Sequence, residues 1–363
     1  MTAGQPHPGV AVRLPIDRLF FALAVVIALF HVVANALGTP LQDALVGLGE
    51  AAPALSFVIP LGRWFGDLAT LSTLTLCAIH FAGFAILCAW RYPFLHPSST
   101  GAARLVMVGD IIFGLLVAAS ALGLAASENA IYARGVSLST LEWIMAGITI
   151  VGAIEFTRRT TGWIIPGLIV IAITYPTWWG DDIPGVFRFA GLSLETVTFR
   201  SIFSDEGMFG LIGQISATFV FMFILFGAFL IRSGAGEFIV DLARAAAGRF
   251  TGGPGFVAVL SSGLTGTISG SAIANTVSTG VITIPLMKKS GFPPRFAAGV
   301  EAASSTGGQL MPPIMGAGAF VMASYTQIPY LKIVEVALLP ALVYFASIAL
   351  FVRIQAKRSG VVP

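Results

Sequence analysis

Charge is scarce in this chain. Across 363 residues there are 20 Lys and Arg and 17 Asp and Glu, so charged residues make up 10% of the sequence. A soluble domain carries about 25%, and no water-facing surface of this length can be built from so few charges. A soluble enzyme, a disordered chain and a nucleic-acid binder with a basic face are excluded together. Two cysteines, Cys77 and Cys88, lie in one apolar stretch, too few for a disulfide framework or a thiolate metal site. They read as small apolar packing residues. Glycine-rich phosphate loops of the P-loop type are also missing, which excludes an ATP-driven pump.

What is present is apolar: 56% of residues are hydrophobic and mean hydropathy is +0.90. A membrane-spanning helix needs about 20 mostly apolar residues. Candidate spans are 18–37, 68–90, 104–124, 139–157, 162–180, 209–231 and 333–352. The first follows Arg13 and Arg18, but it is longer than a signal-peptide core and ends in no clear cleavage site, so it reads as a retained span. With a cytoplasmic N-terminus and alternating sides, the cytoplasmic loops collect most of the Lys and Arg. Only Arg63, Arg134, Arg188, Arg200 and Lys332 fall outside, where the loops carry acids such as Asp43, Glu50, Asp181 and Asp205. This bias holds only if 253–287 enters and leaves on the same face, which predicts a re-entrant hairpin.

Residues 1–160 read as a four-helix scaffold and 161–363 as the part that carries the function. The external loop 181–208 mixes acid, Arg and Phe, and fits either an amphipathic element on the outer interface or a plain connector. In the arm 233–250, Phe238, Ile239, Leu242 and Ala246 share one helical face, which predicts an amphipathic surface helix. Composition then changes sharply. Residues 261–280, SSGLTGTISGSAIANTVSTG, are mostly Gly, Ser and Thr and carry no charge. Close helix packing uses small residues, but this density predicts a turn between two half-helices. Irregular backbone at membrane depth is tolerated only inside protein or beside a watery cavity.

Such a turn leaves carbonyls at the end of the first half and N–H groups at the start of the second. The carbonyls, with Thr267, Ser269, Gly270, Ser271, Asn275 and Thr276, suit a hard cation such as Na⁺. The N–H end near Ser271 and Ala272, with the Asn275 amide, suits a carboxylate. Discontinuous helices at a midplane site are the mark of secondary transporters. A second interruption, SSTGGQLMPP at 304–313, lies within 295–325 and predicts a broken helix. It adds Ser305, Thr306 and Gly307 as ion contacts and Gln309 as a substrate contact.

The segments SATFVFMFILFGAFLIRSGAGEF (216–238), GTISGSAIANTVSTGVITIPLMKKSGF (266–292) and AGVEAASSTGGQLMPPIMGAGAFVMASY (298–325) together resemble the tripartite ATP-independent periplasmic (TRAP) transporter permeases. With IHFAGFAILCAWRYP (79–93) they are similar to the type in which a small four-helix subunit is fused ahead of the large one, associated with TAXI binding proteins. The resemblance implies an all-α integral protein of the bacterial inner membrane, with about eight transmembrane helices, one re-entrant hairpin and a broken helix. It implies an elevator-type carrier in which a sodium gradient drives uptake of a small organic anion, such as a dicarboxylate, handed over by a periplasmic TAXI-type protein. No cofactor beyond Na⁺ as coupling ion is expected, and no nucleic-acid partner. Residues 161–363 would then form the first of two inverted repeats, ending in the span 333–352. No second GTISGSA-like or TGGQLMPP-like segment follows, so a C-terminal partner half, in the same or a separate chain, is expected to complete the site.

Ionisable residues within spans are costly and mark function or pairing. Asp110 follows Arg104 by six residues and Glu155 precedes Arg158 by three, which predicts interfacial pairing for both. Glu301, little more than one turn ahead of the second break, has no cation at helical spacing toward its C-terminal side and is a candidate gating residue. His31 and His80 sit in separate spans, and the six Trp residues lie near span ends as interfacial anchors. Two other functions use the same segment: an ion channel with the Gly/Ser/Thr run as its filter, and an intramembrane serine enzyme. The second lacks a base near Ser269 or Ser271 in sequence.

Overall fold

The computed structural model describes residues 16–95, 100–135 and 137–361; Arg13, used in the sidedness argument, lies outside them. The described residues contain helices and no strands. In chain order the helices are α1 (Ile16–Val32), α2 (Gly38–Ala51), α3 (Ile59–Ala69), α4 (Thr73–Arg91), α5 (Thr100–Ala126), α6 (Glu128–Arg134), α7 (Thr140–Thr161), α8 (Ile164–Thr174), α9 (Leu194–Phe203), α10 (Leu211–Ile215), α11 (Phe221–Arg232), α12 (Ala235–Ala247), α13 (Gly253–Ser269), α14 (Ala272–Lys289), α15 (Pro294–Gly307), α16 (Ala317–Thr326) and α17 (Tyr330–Arg358). Among the described residues six helical stretches are long and apolar enough to cross a membrane: Arg18–Ala51, Thr73–Arg91, Ala103–Ala126, Thr140–Thr161, Leu211–Leu230 and Tyr330–Arg358. Ile164–Trp179 is a shorter apolar helix. The protein is an all-α integral membrane protein.

Two compact units divide the chain, Met1–Ala217 and Thr218–Pro363. In the first, α4, α5 and α7 pack through small side chains: Ala78, Ala85, Ala121 and Ala146 are buried, as is Cys77. Small residues bring helix backbones close where lipid offers no hydrophobic drive. Ser139 caps α7, its hydroxyl accepting from the Glu142 N–H while the Glu142 carboxylate accepts from the Ser139 N–H at 2.7 Å. Arg134 donates to the same carboxylate. Ser139→Ala removes one half of this reciprocal cap, and we expect a loss of about 0.5–2 kcal/mol in thermal unfolding of the detergent-solubilised chain.

Several sequence expectations change in this unit. Asp110 pairs with Arg159 rather than Arg104, at 2.8 Å. Glu155 holds both Arg158 and Arg159, each at 2.7 Å. His31 and His80 are not independent: His31 Nε2 lies 2.8 Å from His80 Nδ1, and His80 Nε2 lies 3.1 Å from Ser216 Oγ. Beside them a π-helical turn, Val33–Leu37, joins α1 to α2, and its Asn35 amide donates to the carbonyls of His31 and Ala217. Within 181–208, α9 buries Val197, Ile202 and Phe203, the last two in the core of the unit.

The second unit is built on the α13–α14 hairpin. The arms have 17 and 18 residues, about 25 Å each at 1.5 Å per residue, short of the roughly 30 Å hydrocarbon layer. Gly270 takes φ +60° and ends α13; Ser271 opens α14, its hydroxyl accepting from the Ala274 N–H. The chain then runs back, bringing Asn275 and Thr279 beside Ser262. Helix α12 buries Ile239, Val240, Ala243 and Ala247. Phe238, assigned with Ile239 to one face by the sequence pattern, is 67% exposed, and Leu242 is exposed as well. The buried stripe is the narrow Ala-rich one, because small side chains allow the close approach to α13.

Candidate functional site

The second unit brings the two chain interruptions together. Helix α15 ends at Gly307, a single 3₁₀ turn follows at Gly308–Leu310, and α16 restarts at Ala317. Gly266 on α13 and Gly308 meet backbone to backbone: a Cβ on Gly308 would sit 2.6 Å from the Gly266 Cα. Gly270 at the hairpin tip meets the second interruption at Met315, whose carbonyl would lie 2.7 Å from an added Cβ. Only glycine permits these approaches. The last carbonyls of α13 and the first N–H groups of α14 lack helical partners by geometry, and both end where the broken helix passes.

The candidate residues fall into two sets. Gly270 and Ser271 form the tip, with Ser269 Oγ 3.4 Å from the Ser271 N–H. Ala272 is the first residue of α14. Asn275 is fully buried; its Nδ2 donates to the Ser262 carbonyl at 2.7 Å, and its Oδ1 has no hydrogen-bond partner. Gln309 accepts from the Gly316 N–H through its carbonyl and lines a mostly apolar cavity of about 760 Å³ with Met315, Gly316, Lys332 and Ile333. The other hydroxyls are engaged locally. Thr267 donates to the Leu264 carbonyl, Thr276 to Ala272 and Thr306, which is exposed, to Ala302. Gly307 packs against the Tyr344 ring, and Ser305 donates to Glu301.

Glu301 stands at the centre of a hydroxyl cage. Its side chain is 0% exposed. Oε1 receives Ser262 at 2.6 Å, Thr279 at 2.5 Å and Ser305 at 3.1 Å, and Oε2 receives Thr283 at 2.5 Å. Among the described residues no Lys, Arg or His lies within ion-pair distance of it. The buried hydroxyls of Thr265 and Ser304 have no partner either. Sequence reasoning singled out Glu301 and Ser305 but not Ser262, Thr279 or Thr283 as its companions. The readable signal was the four-residue spacing of Asn275, Thr279 and Thr283 along one stripe of α14, matched by Glu301 and Ser305 on α15.

Comparison with known proteins identifies a family. The family model of the tripartite ATP-independent periplasmic transporter, DctM component, matches residues 148–363, more than half of the chain. The chain is 32% identical over 136 residues to a putative TRAP transporter large permease protein of Haemophilus influenzae, covering 38% of this chain and 32% of the relative. It is 33% identical over 135 residues to a C4-dicarboxylate TRAP transporter large permease protein of Pseudomonas aeruginosa, covering 37% and 32%. To a sialic acid TRAP transporter large permease protein of Vibrio cholerae it is 32% identical over 126 residues, covering 35% and 30%. The chain thus spans about a third of the length of these relatives. No solved structure matches it. The family and the relatives are transporter permeases, not enzymes. The chain belongs to the DctM component family of tripartite ATP-independent periplasmic transporters.

Proposed function

We propose that the chain is a permease component of a secondary active uptake system of the inner membrane, in which sodium drives entry of an organic anion delivered by a periplasmic binding protein. The observation that carries this reading is the meeting of two broken helices at Gly266, Gly270, Gly308 and Met315. Sodium would lie against the carbonyl end of α13, and the substrate carboxylate against the N–H end of α14 with Asn275 and Gln309 beside it. A carboxylate is favoured by that helix end, and the relatives are described as handling C4-dicarboxylates or sialic acid, both of which carry carboxyl groups. The ion would neutralise and order the tip before the anion docks. An elevator-like movement of the hairpin unit would carry the occupied site across. The partner is read as TAXI-type from 79–93, and the N-terminus as cytoplasmic from the distribution of Lys and Arg.

Thermal unfolding of the purified chain tests the ion site. Sodium at about 100 times its dissociation constant should add about 2.7 kcal/mol to stability, and potassium should add far less. Ser271→Ala and Asn275→Ala should each remove most of the difference, and in the complete transporter should weaken uptake at limiting sodium. Equal stabilisation by sodium and potassium would contradict the site. Unitary currents across a bilayer would favour a channel.

A further inference from the structure

Among the described residues, two that are not glycine take left-handed backbone, Met315 at φ +61° and Gln327 at φ +57°. Gln327 closes α16, and at a helix C-cap that conformation is common. Met315 closes no helix. It lies in the strap 311–316, between the 3₁₀ turn and α16, and it is buried. A bulky residue at positive φ is disfavoured, and it persists only where its surroundings over-determine it. Met315 therefore has to be held from both sides.

On its C-terminal side the Gly316 N–H donates to the Gln309 carbonyl at 2.8 Å and closes the strap on itself. On its N-terminal side the hold is a side chain sixteen residues beyond Ile314. Tyr330, the first residue of α17, places its hydroxyl oxygen 2.5 Å from the Ile314 carbonyl and 3.1 Å from the Pro313 carbonyl. These are the last two carbonyls before Met315, and they belong to no helix, so at membrane depth they need a donor. The Tyr330 ring is fixed as well. It stacks on Phe320 of α16, with centroids 4.5 Å apart and planes within 8°. Phe320 stacks in turn on Phe219 and on Phe223 of α11, at 5.3 Å each. With ring and hydroxyl both engaged, Tyr330 has little freedom to follow a shifting strap. The Met315 carbonyl it steadies is the one that would lie 2.7 Å from a Cβ on Gly270.

We propose that Tyr330 is a positioning residue of the site. By holding the Ile314 and Pro313 carbonyls it fixes Met315 in left-handed backbone and sets the strap against the hairpin tip. Tyr330 touches neither ion nor anion; it acts through Met315. Its effect on ion affinity rests on the sodium reading of the tip, whereas its hold on the strap does not.

Tyr330→Phe removes the hydroxyl and keeps the stacked ring, so the variant should fold. Tyr325→Phe, at an exposed position of α16, is the control. Two measurements on the full chain in lipid separate the hold from the ion. Without sodium, amide hydrogen exchange over 311–316 should quicken about tenfold in Tyr330→Phe, the scale of one hydrogen bond, and stay as it was in Tyr325→Phe. In sodium titrations followed by thermal unfolding, Tyr330→Phe should raise the half-saturating sodium concentration about tenfold. A purely structural loss would lower the unfolding temperature equally with and without sodium and leave that concentration unchanged. Unchanged exchange would overturn the proposal whatever sodium does. Faster exchange with an unchanged half-saturating concentration would overturn the positioning role and leave the sodium site standing. A wild-type chain indifferent to sodium would contradict the ion site instead, and the exchange result alone would then decide for or against Tyr330.

Discussion

Gly308→Ala should reduce uptake by the complete transporter by about a hundredfold, the scale set by an ångström of misplacement at a reacting site. The added methyl would fall 2.6 Å from the Gly266 Cα. Backbone cannot swing aside as a side-chain tip can, so the two interruptions must separate. Overpacking of this kind costs about 1–3 kcal/mol, which a multi-helix unit can survive while its ion and substrate contacts do not. Gly299, on the preceding helix α15, is the control. A Cβ there meets nothing within 4 Å, and Gly299→Ala should raise stability by about 0.5–1 kcal/mol with uptake unchanged. Equal transport by both variants would show that the close approach of Gly266 and Gly308 has no part in the site.

Arg159→Ala should be the most destabilising change in the first unit. The guanidinium bonds Asp110 through Nη1 and Glu155 through Nε, and its side chain and that of Asp110 are 4% and 5% exposed. It also donates to the Tyr92 carbonyl and lies over the rings of Phe94, Phe113 and Phe156. Removal leaves Asp110 buried without its cation, with an expected loss of about 3–5 kcal/mol in thermal unfolding of the solubilised chain. Arg159→Lys should recover little of it, because a single ammonium cannot reproduce the forked geometry that joins two carboxylates. Full recovery by lysine would reduce the arrangement to simple charge.

The hairpin and the broken helix could be read from the sequence because their signals are local. Gly, Ser and Thr crowd together without charge around Gly270, and Gly307, Gly308, Pro312 and Pro313 interrupt an apolar stretch. What the sequence hid is carried by partners far apart along the chain. Ser262 and Glu301 are 39 residues apart, and His31 and His80 are 49 apart. No periodicity links such pairs; only the packing of the helices does. Asp110 was expected to pair with a nearby arginine, but the crossing of α5 and α7 delivers Arg159 instead. On α12 the sequence pattern put Phe238, Ile239, Leu242 and Ala246 on one apolar face of a surface helix. Packing selected Ala243 and Ala247, because a close helix–helix approach rewards small side chains over apolar ones.

The account depends on the polypeptide reversing at Gly270 within the bilayer. Single cysteines at Thr251 and Ser290, which flank the two arms, can be introduced into a chain whose Cys77 and Cys88 have been replaced by alanine. Each is then labelled with a membrane-impermeant maleimide applied to one face of sealed vesicles. Reaction of both from the same face is the predicted result; reaction from opposite faces would contradict the reversal and the site built on it.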